Sequence, residues 1–178
     1  LFKIWEGGMS FHGGLLGTII ALWFYQHMKG HGFLRICDFV APMVPLGLGA
    51  GLIGNFMYGE LWGRTTDVPW AMVFPSADKL ARHPSQLYQA FLEGAVMFVV
   101  LWVFAKKSRP MGAVAALFLL LYGVFRFVVE FVREPDKDLG FIAFGWLTVG
   151  QLLTAPMIIV GLVIMWLAYS RFGMVQKR

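Results

Sequence analysis

The fold class predicted by this 178-residue sequence is an all-α, polytopic bundle of membrane-spanning helices. Three observations carry that expectation. Hydrophobic residues make up 58% of the chain and charged residues 14%, against roughly 45–50% and 25% in soluble domains. Mean hydropathy is +0.68, and a chain of this size cannot hide so much apolar surface from water because small domains keep a large surface fraction. Finally, apolar stretches of about 20 residues, the length that crosses a hydrocarbon core, recur along the whole sequence.

Using the charges as punctuation gives five windows. The first is uncharged from Gly7 to Met28, and the second runs from Phe39 to Gly59. The third, His83 to Ala105, contains only Glu93, and the fourth, Pro110 to Val132, contains Arg126 and Glu130. The last, Leu139 to Ser170, has room for a re-entrant lead-in and one tilted span. Five transmembrane helices are therefore expected in a single transmembrane domain over 1–178. The longest connection, 60–82, carries the turn formers Gly63, Pro69, Pro75 and Asp78 and reads as an extracytoplasmic loop. His83-Pro84-Ser85-Gln86 reads as a helix entry, since proline is tolerated in a first turn. The chain begins at Leu1 rather than Met, and it is expected to be a piece of a longer protein.

Loop charges orient the bundle. Lys29, Arg35, Lys106, Lys107, Arg109, Arg171, Lys177 and Arg178 fall on one side, and Lys3, Arg64, Lys79, Arg82, Arg133 and Lys137 on the other. The first group is the larger, so the C-terminus is expected in the cytoplasm. The net charge of +5 comes from basic residues scattered singly between apolar runs. That pattern favours anionic membrane lipids or a phosphate substrate over nucleic acid. The lone Cys37 excludes a disulfide framework and a thiolate zinc site. His27 and His31 have a metal-compatible spacing, but Gly30 and Gly32 break the helix that would align them. No metal or cofactor is expected.

Glycines set one trap. Gly49-Ala50-Gly51-Leu52-Ile53-Gly54 matches a dinucleotide-binding fingerprint, whose mechanism needs a preceding strand and a βαβ unit. Inside an apolar window the pattern instead predicts close helix packing through Gly47 and Gly51, and through Ala50 and Gly54.

The fourth window is the most informative. Tyr122, Arg126, Glu130 and Arg133 are spaced by four, four and three. On one helix they fall within an arc of roughly 80° and climb about 16 Å. Ionisable groups inside a span are costly and face a bundle interior or wet cavity. A stripe this long solvates more than one ion pair, and Asn55, Glu60 and Arg64 close the second window at the same interface. Glu93 follows Gln89 by one turn in the third window. His12 stands beside paired glycines at the mouth of the first. Below Tyr122 the fourth window reads Ala113 to Leu121 with no polar side chain, which predicts a cavity open to one side only.

Several blocks give these residues a family resemblance. They are Gly7-Gly8-Met9-Ser10-Phe11-His12-Gly13-Gly14, the stretch Gly47 to Arg64 ending Gly59-Glu60-Leu61-Trp62-Gly63-Arg64, and Arg82-His83-Pro84-Ser85-Gln86-Leu87-Tyr88. Pro110-Met111-Gly112 and the Tyr122 to Arg133 stripe complete the set. In order and spacing the chain resembles the prolipoprotein diacylglyceryl transferases, multi-pass enzymes of the bacterial inner membrane with about two further spans ahead of this region. The resemblance implies transfer of the diacylglyceryl group of phosphatidylglycerol to the lipobox cysteine of a preprolipoprotein, with release of glycerol phosphate. It implies proton handling by His12 and Tyr122, a phosphate clamp at Arg126, and an outer pocket ordered by Glu130 and Arg133. It also implies a headgroup site lined by Asn55, Glu60 and Arg64, opening toward the periplasm.

Two positions depart from the family pattern, which carries arginine and asparagine where this chain has Leu52 and Tyr58. Loss of that arginine predicts impaired transfer. The alternatives are a catalytically inactive phospholipid-binding relative and, less favoured, a lipid transporter.

Overall fold

In a computed structural model of the chain, residues 11–30, 32–134, 141–143 and 147–176 are described. Each of the five apolar windows holds a helix. α1 spans Phe11–Lys29, α2 Phe33–Val40 and α3 Val44–Tyr58. After a loop carrying strands β1 (Met72–Val73) and β2 (Ala81–Arg82), α4 (Ser85–Gln89) passes through a π-helical segment, Ala90–Val96, into α5 (Met97–Ala105). α6 (Ala113–Val129), a short hairpin of β3 (Phe141–Ala143) and β4 (Leu147–Thr148), and α7 (Val149–Gln176) complete the order. The chain is an all-α membrane protein. Ser85–Ala105 and Gly150–Ser170 are each long and apolar enough to cross a membrane, and α2 with α3 makes a third such span if counted together across a 48° bend. α6 is apolar but shorter, at 17 residues.

The bend has a local cause. Pro42 and Pro45 remove two amide donors where one helix would continue into the next, and the chain turns at Ala41–Met43 before α3 begins. At its other end α3 stops at Gly59, whose φ of 66° is a left-handed conformation that lacks a steric penalty only in glycine. The predicted entry at His83–Gln86 is present, with Pro84 capping α4.

Packing in the bundle runs through glycines, though not those expected. A Cβ built on Gly47, Gly51 or Gly54 meets nothing within 4 Å, so the predicted contact face is open. The close approach is made by Gly49, which faces Gly94 of the π-helical segment: a Cβ on Gly94 would stand 2.9 Å from the Gly49 Cα. The reason is geometric. The π turn brings its backbone up to α3 at one point, and only a residue without a side chain on each side allows it. Gly94→Ala is therefore expected to cost about 1–3 kcal/mol through overpacking. Gly47→Ala should be neutral or slightly stabilising, and thermal unfolding in detergent followed by circular dichroism compares the two.

α6 and α7 meet in the same manner. Gly123 of α6 lies against Ile158, and Gly161 of α7 against Leu120 and the Ala116 carbonyl. The apolar core joins Ala41, Met97, Leu101 and Val114, with Leu117, Phe118, Leu121 and Tyr122 packed on it. Large side chains elsewhere point outward, among them Trp23 and Phe24 of α1 and Ile159 and Trp166 of α7. Such an apolar exterior matches a lipid solvent. The described part of the lead-in to α7 is the antiparallel pair β3–β4, with Phe141 opposite Thr148.

The start of α6 is held from another element. Asp38 of α2 accepts from the backbone N–H of Gly112 at 2.6 Å and of Ala115 at 2.9 Å. Two of the helix's unsatisfied donors are thus capped across the bundle, and this fixes the axis on which the charged stripe is carried.

Candidate active site

Tyr122, Arg126 and Glu130 come together along one face of α6, as their spacing predicts. Helix α6 ends at Val129, however, so Glu130 is its C-cap and Arg133 lies beyond the helix in a turn. The stripe is therefore shorter than the sequence implies. Arg133 instead forms an antiparallel bridge with Gly63, and the 60–84 segment is sewn onto the end of α6. The Gly63 N–H donates to the His83 carbonyl at 2.9 Å and the Arg64 N–H to Val132 at 2.9 Å. A Cβ on Gly63 would stand 2.6 Å from the His83 carbonyl oxygen and 2.7 Å from that of Val132, so three backbone segments cross at a glycine.

Arg126 Nη2 pairs with Glu130 Oε2 at 3.1 Å, both side chains being largely withdrawn from solvent. Glu130 is held in turn by Thr148, whose hydroxyl donates to Oε1 at 3.0 Å. Gly150 makes the space: a Cβ there would stand 2.8 Å from the Glu130 carboxyl carbon. The second terminal nitrogen of Arg126, Nη1, is buried without a hydrogen-bond partner among the described residues. A guanidinium with one arm paired and the other buried without a hydrogen bond has donor capacity left for an oxyanion.

Across from it lies a buried polar face on α4 and the π-helical segment. Gln86, Gln89 and Glu93 are each nearly inaccessible to solvent. Glu93 stands one turn on from Gln89 and lies within charge–charge range of Arg126, Arg133 and Glu130. Its Oε1 and the Oε1 of Gln89 have no partner among the described residues. Tyr122 lies within range of the same Glu93, Arg126 and Arg133 charges. π-Helical turns recur at functional sites because the extra residue per turn re-aims side chains, and here one carries Glu93.

The remaining predicted residues are less central. Arg64 donates Nε to the Arg133 carbonyl at 2.9 Å and Nη2 to that of Glu130 at 3.4 Å, bolting the loop to the site. The Glu60 side chain is exposed, while its backbone carbonyl accepts from the Gln86 amide. Asn55 is half-buried in the last turn of α3, and its carbonyl accepts from the Glu60 N–H at 2.9 Å. His12 stands in the first turn of α1, and its side chain lies outside the described residues.

Sequence reasoning missed two groups. Thr148 and Gly150, which set Glu130, gave no signal because both depend on α7 packing against α6. Arg82 counts in the sequence as a loop charge and as the head of the Arg82–Tyr88 block, with no structural role assigned, yet it is buried and organises the loop. It donates Nη1 to the Gly63 carbonyl and to Glu134, each at 3.1 Å, and Nη2 to Asp78 at 2.6 Å. Hydrogen bonding to Asp78 pushes its guanidinium pKa up further. Arg82→Ala is expected to speed amide hydrogen exchange at Gly63 and His83 by about tenfold, the loss of one charge-assisted bond. Exchange in the middle of α5 should not change.

The profile of the prolipoprotein diacylglyceryl transferase family matches residues 1–167. The chain is 58% identical over 171 residues to the phosphatidylglycerol–prolipoprotein diacylglyceryl transferase of Pseudomonas paraeruginosa (strain DSM 24068 / PA7). It is 58% identical over 174 residues to that of Pseudomonas syringae pv. syringae (strain B728a), and 57% over 174 residues to that of Pseudomonas fluorescens (strain SBW25). In each case the match covers 96% of this chain and 64% of the relative, so the chain spans less than two thirds of their length.

Proposed function

Because this chain belongs to the prolipoprotein diacylglyceryl transferase family, we propose that it moves the diacylglyceryl group of phosphatidylglycerol onto the lipobox cysteine of a preprolipoprotein. The single observation that most supports this reading is Arg126, with one arm paired with Glu130 and the other buried without a hydrogen-bond partner among the described residues.

The chemistry makes two demands. The thiol must lose a proton, because thiolate is the nucleophile. The new C–S bond forms as the C–O bond to the phosphate breaks, and the departing glycerol phosphate must be held by positive charge and hydrogen bonds. Arg126 is the phosphate clamp in this reading. Glu130, fixed by Thr148 and Gly150, aims it. Tyr122 and His12 handle the proton, Arg133 and Arg64 order the rim, and Asn55 and Glu60 line the headgroup side. The site opens to the periplasmic side of a bacterial inner membrane, with 60–82 as an extracytoplasmic loop and the C-terminus in the cytoplasm. Nucleic acid has no place in this scheme.

One observation favours a second reading, an inactive phospholipid-binding relative: Leu52 occupies the position of the family's arginine in α3. The deciding experiment incubates the chain in detergent with phosphatidylglycerol and a lipobox peptide and follows the peptide's mass. A diacylglyceryl gain supports the transferase. Phosphatidylglycerol binding without that gain supports the inactive relative, and labelled-lipid flux in proteoliposomes without either would support a transporter.

A further inference from the structure

At the opposite end of the bundle from Arg126 lies a groove of about 620 Å³, within the range of about 300–1,000 Å³ typical of small-molecule sites. It lies at the 48° bend between α2 and α3 and is lined from that bend and from α5. Phe39 and Met43 form one wall, Phe98 and Trp102 the other, and Lys107 and Arg109 the rim. Phe39 is 70% exposed, and Met43 and Trp102 55% each, so the groove opens sideways toward the hydrocarbon.

Its charge is one-sided. The Lys106 ammonium lies 4.6 Å from the centre of the Trp102 ring, beside the rim. Arg109 is anchored by its Nε, 3.1 Å from the Phe104 carbonyl, and its guanidinium lies 4.0 Å over the Phe104 ring. Its two terminal nitrogens carry no hydrogen bond among the described residues. The one acid in the groove, Asp38, is already spent on the N–H groups of Gly112 and Ala115, so the positive end of α6 offsets its charge. A slot with apolar walls opening to lipid tails, and a basic rim where headgroups sit, has the chemistry of an amphiphile with a negative head.

We infer that this groove holds one anionic phospholipid of the leaflet on that side, its headgroup phosphate on Lys107 and Arg109 and an acyl chain along Phe39, Met43, Phe98 and Trp102. Between Gly112 and Arg126, α6 rises about 21 Å, so this lipid and the one proposed at Arg126 belong to opposite leaflets. The site is one of retention and anchoring, and no bond is made or broken in it.

The test uses phosphatidylserine, which is anionic but is not the proposed donor lipid. The chain is reconstituted in phosphatidylcholine nanodiscs containing a phosphatidylserine with a diazirine in its acyl chain, irradiated, and mapped by peptide mass spectrometry. Labelling is expected on the segments around Phe39–Met43 and Phe98–Trp102, at least about fivefold above that from the matching phosphatidylcholine probe, the effect of one basic residue near a headgroup. Lys107→Glu should bring it down to the phosphatidylcholine level. Lys107 is exposed and makes no ion pair among the described residues, so the variant keeps the fold. Arg126→Ala combined with Glu130→Gln, which removes both halves of that buried pair, should leave groove labelling unchanged, which separates this site from the one at Arg126. Equal labelling by both probes, labelling that survives Lys107→Glu, or no label on the groove walls would each overturn the inference.

Discussion

Arg126→Ala is expected to lower the rate of diacylglyceryl transfer by about a hundred- to a thousandfold, the usual cost of removing one donor from a developing oxyanion. The substitution also leaves Glu130, 5% exposed, without its cation. Breaking a buried pair from one side typically destabilises by about 3–5 kcal/mol, so a bare loss of activity is ambiguous. Two further variants resolve it. Arg126→Ala combined with Glu130→Gln removes the stranded charge, and thermal stability should largely recover while transfer does not. Arg126→Lys keeps a point charge but cannot bind Glu130 and a phosphate through one planar fork. It should fold and retain only a small part of the activity. Transfer at the parental rate in the double variant would remove Arg126 from the mechanism.

Leu52→Arg is expected to raise transfer by about a hundredfold, supplying the second phosphate contact that the family resemblance implies at this position. Leu52 lies on α3 one turn before Asn55, in the half of the helix nearer the loop end, and is half-buried. Peptide mass and phosphatidylglycerol affinity should be read together. If both rise, Leu52 weakens the clamp. If affinity rises but no diacylglyceryl adduct forms, the chain binds phospholipid without completing the chemistry, and the second reading under the proposed function gains. An unchanged rate from an already active chain would show that Arg126 and its partners suffice without the arginine.

Much of this architecture was legible in the sequence. Five apolar windows separated by charges are set by the 30 Å thickness of a hydrocarbon core, and each window holds a helix. Helix entry at Pro84 and the stop at Gly59 follow from single-residue backbone preferences that need no tertiary context. Tyr122, Arg126 and Glu130 share a face because the helical period puts them there, whatever surrounds the helix. What was not legible depends on contacts between segments far apart in the chain. The Gly49–Gly94 crossing could not be told from the open glycines Gly47, Gly51 and Gly54, since one-dimensional spacing does not say which face of α3 meets a neighbour.

The same division separates the residues of the site from their geometry. An apolar chain with a periodic set of ionisable groups determines by itself that the protein is a helical membrane bundle with a charged face. Local periodicity and the cost of charge in hydrocarbon act on any such segment. Only the tertiary structure decided that α6 ends before Arg133, whose backbone instead bridges to Gly63. Only the tertiary structure decided that Glu130 is gripped by Thr148 and given room by Gly150, while the second terminal nitrogen of Arg126 is buried with no hydrogen-bond partner among the described residues. It also decided that Asp38, three residues before the bend, caps α6 rather than standing as a free acid. Each of these is a hydrogen bond or close approach between elements, and its energy depends on distances that no residue's own preference contains.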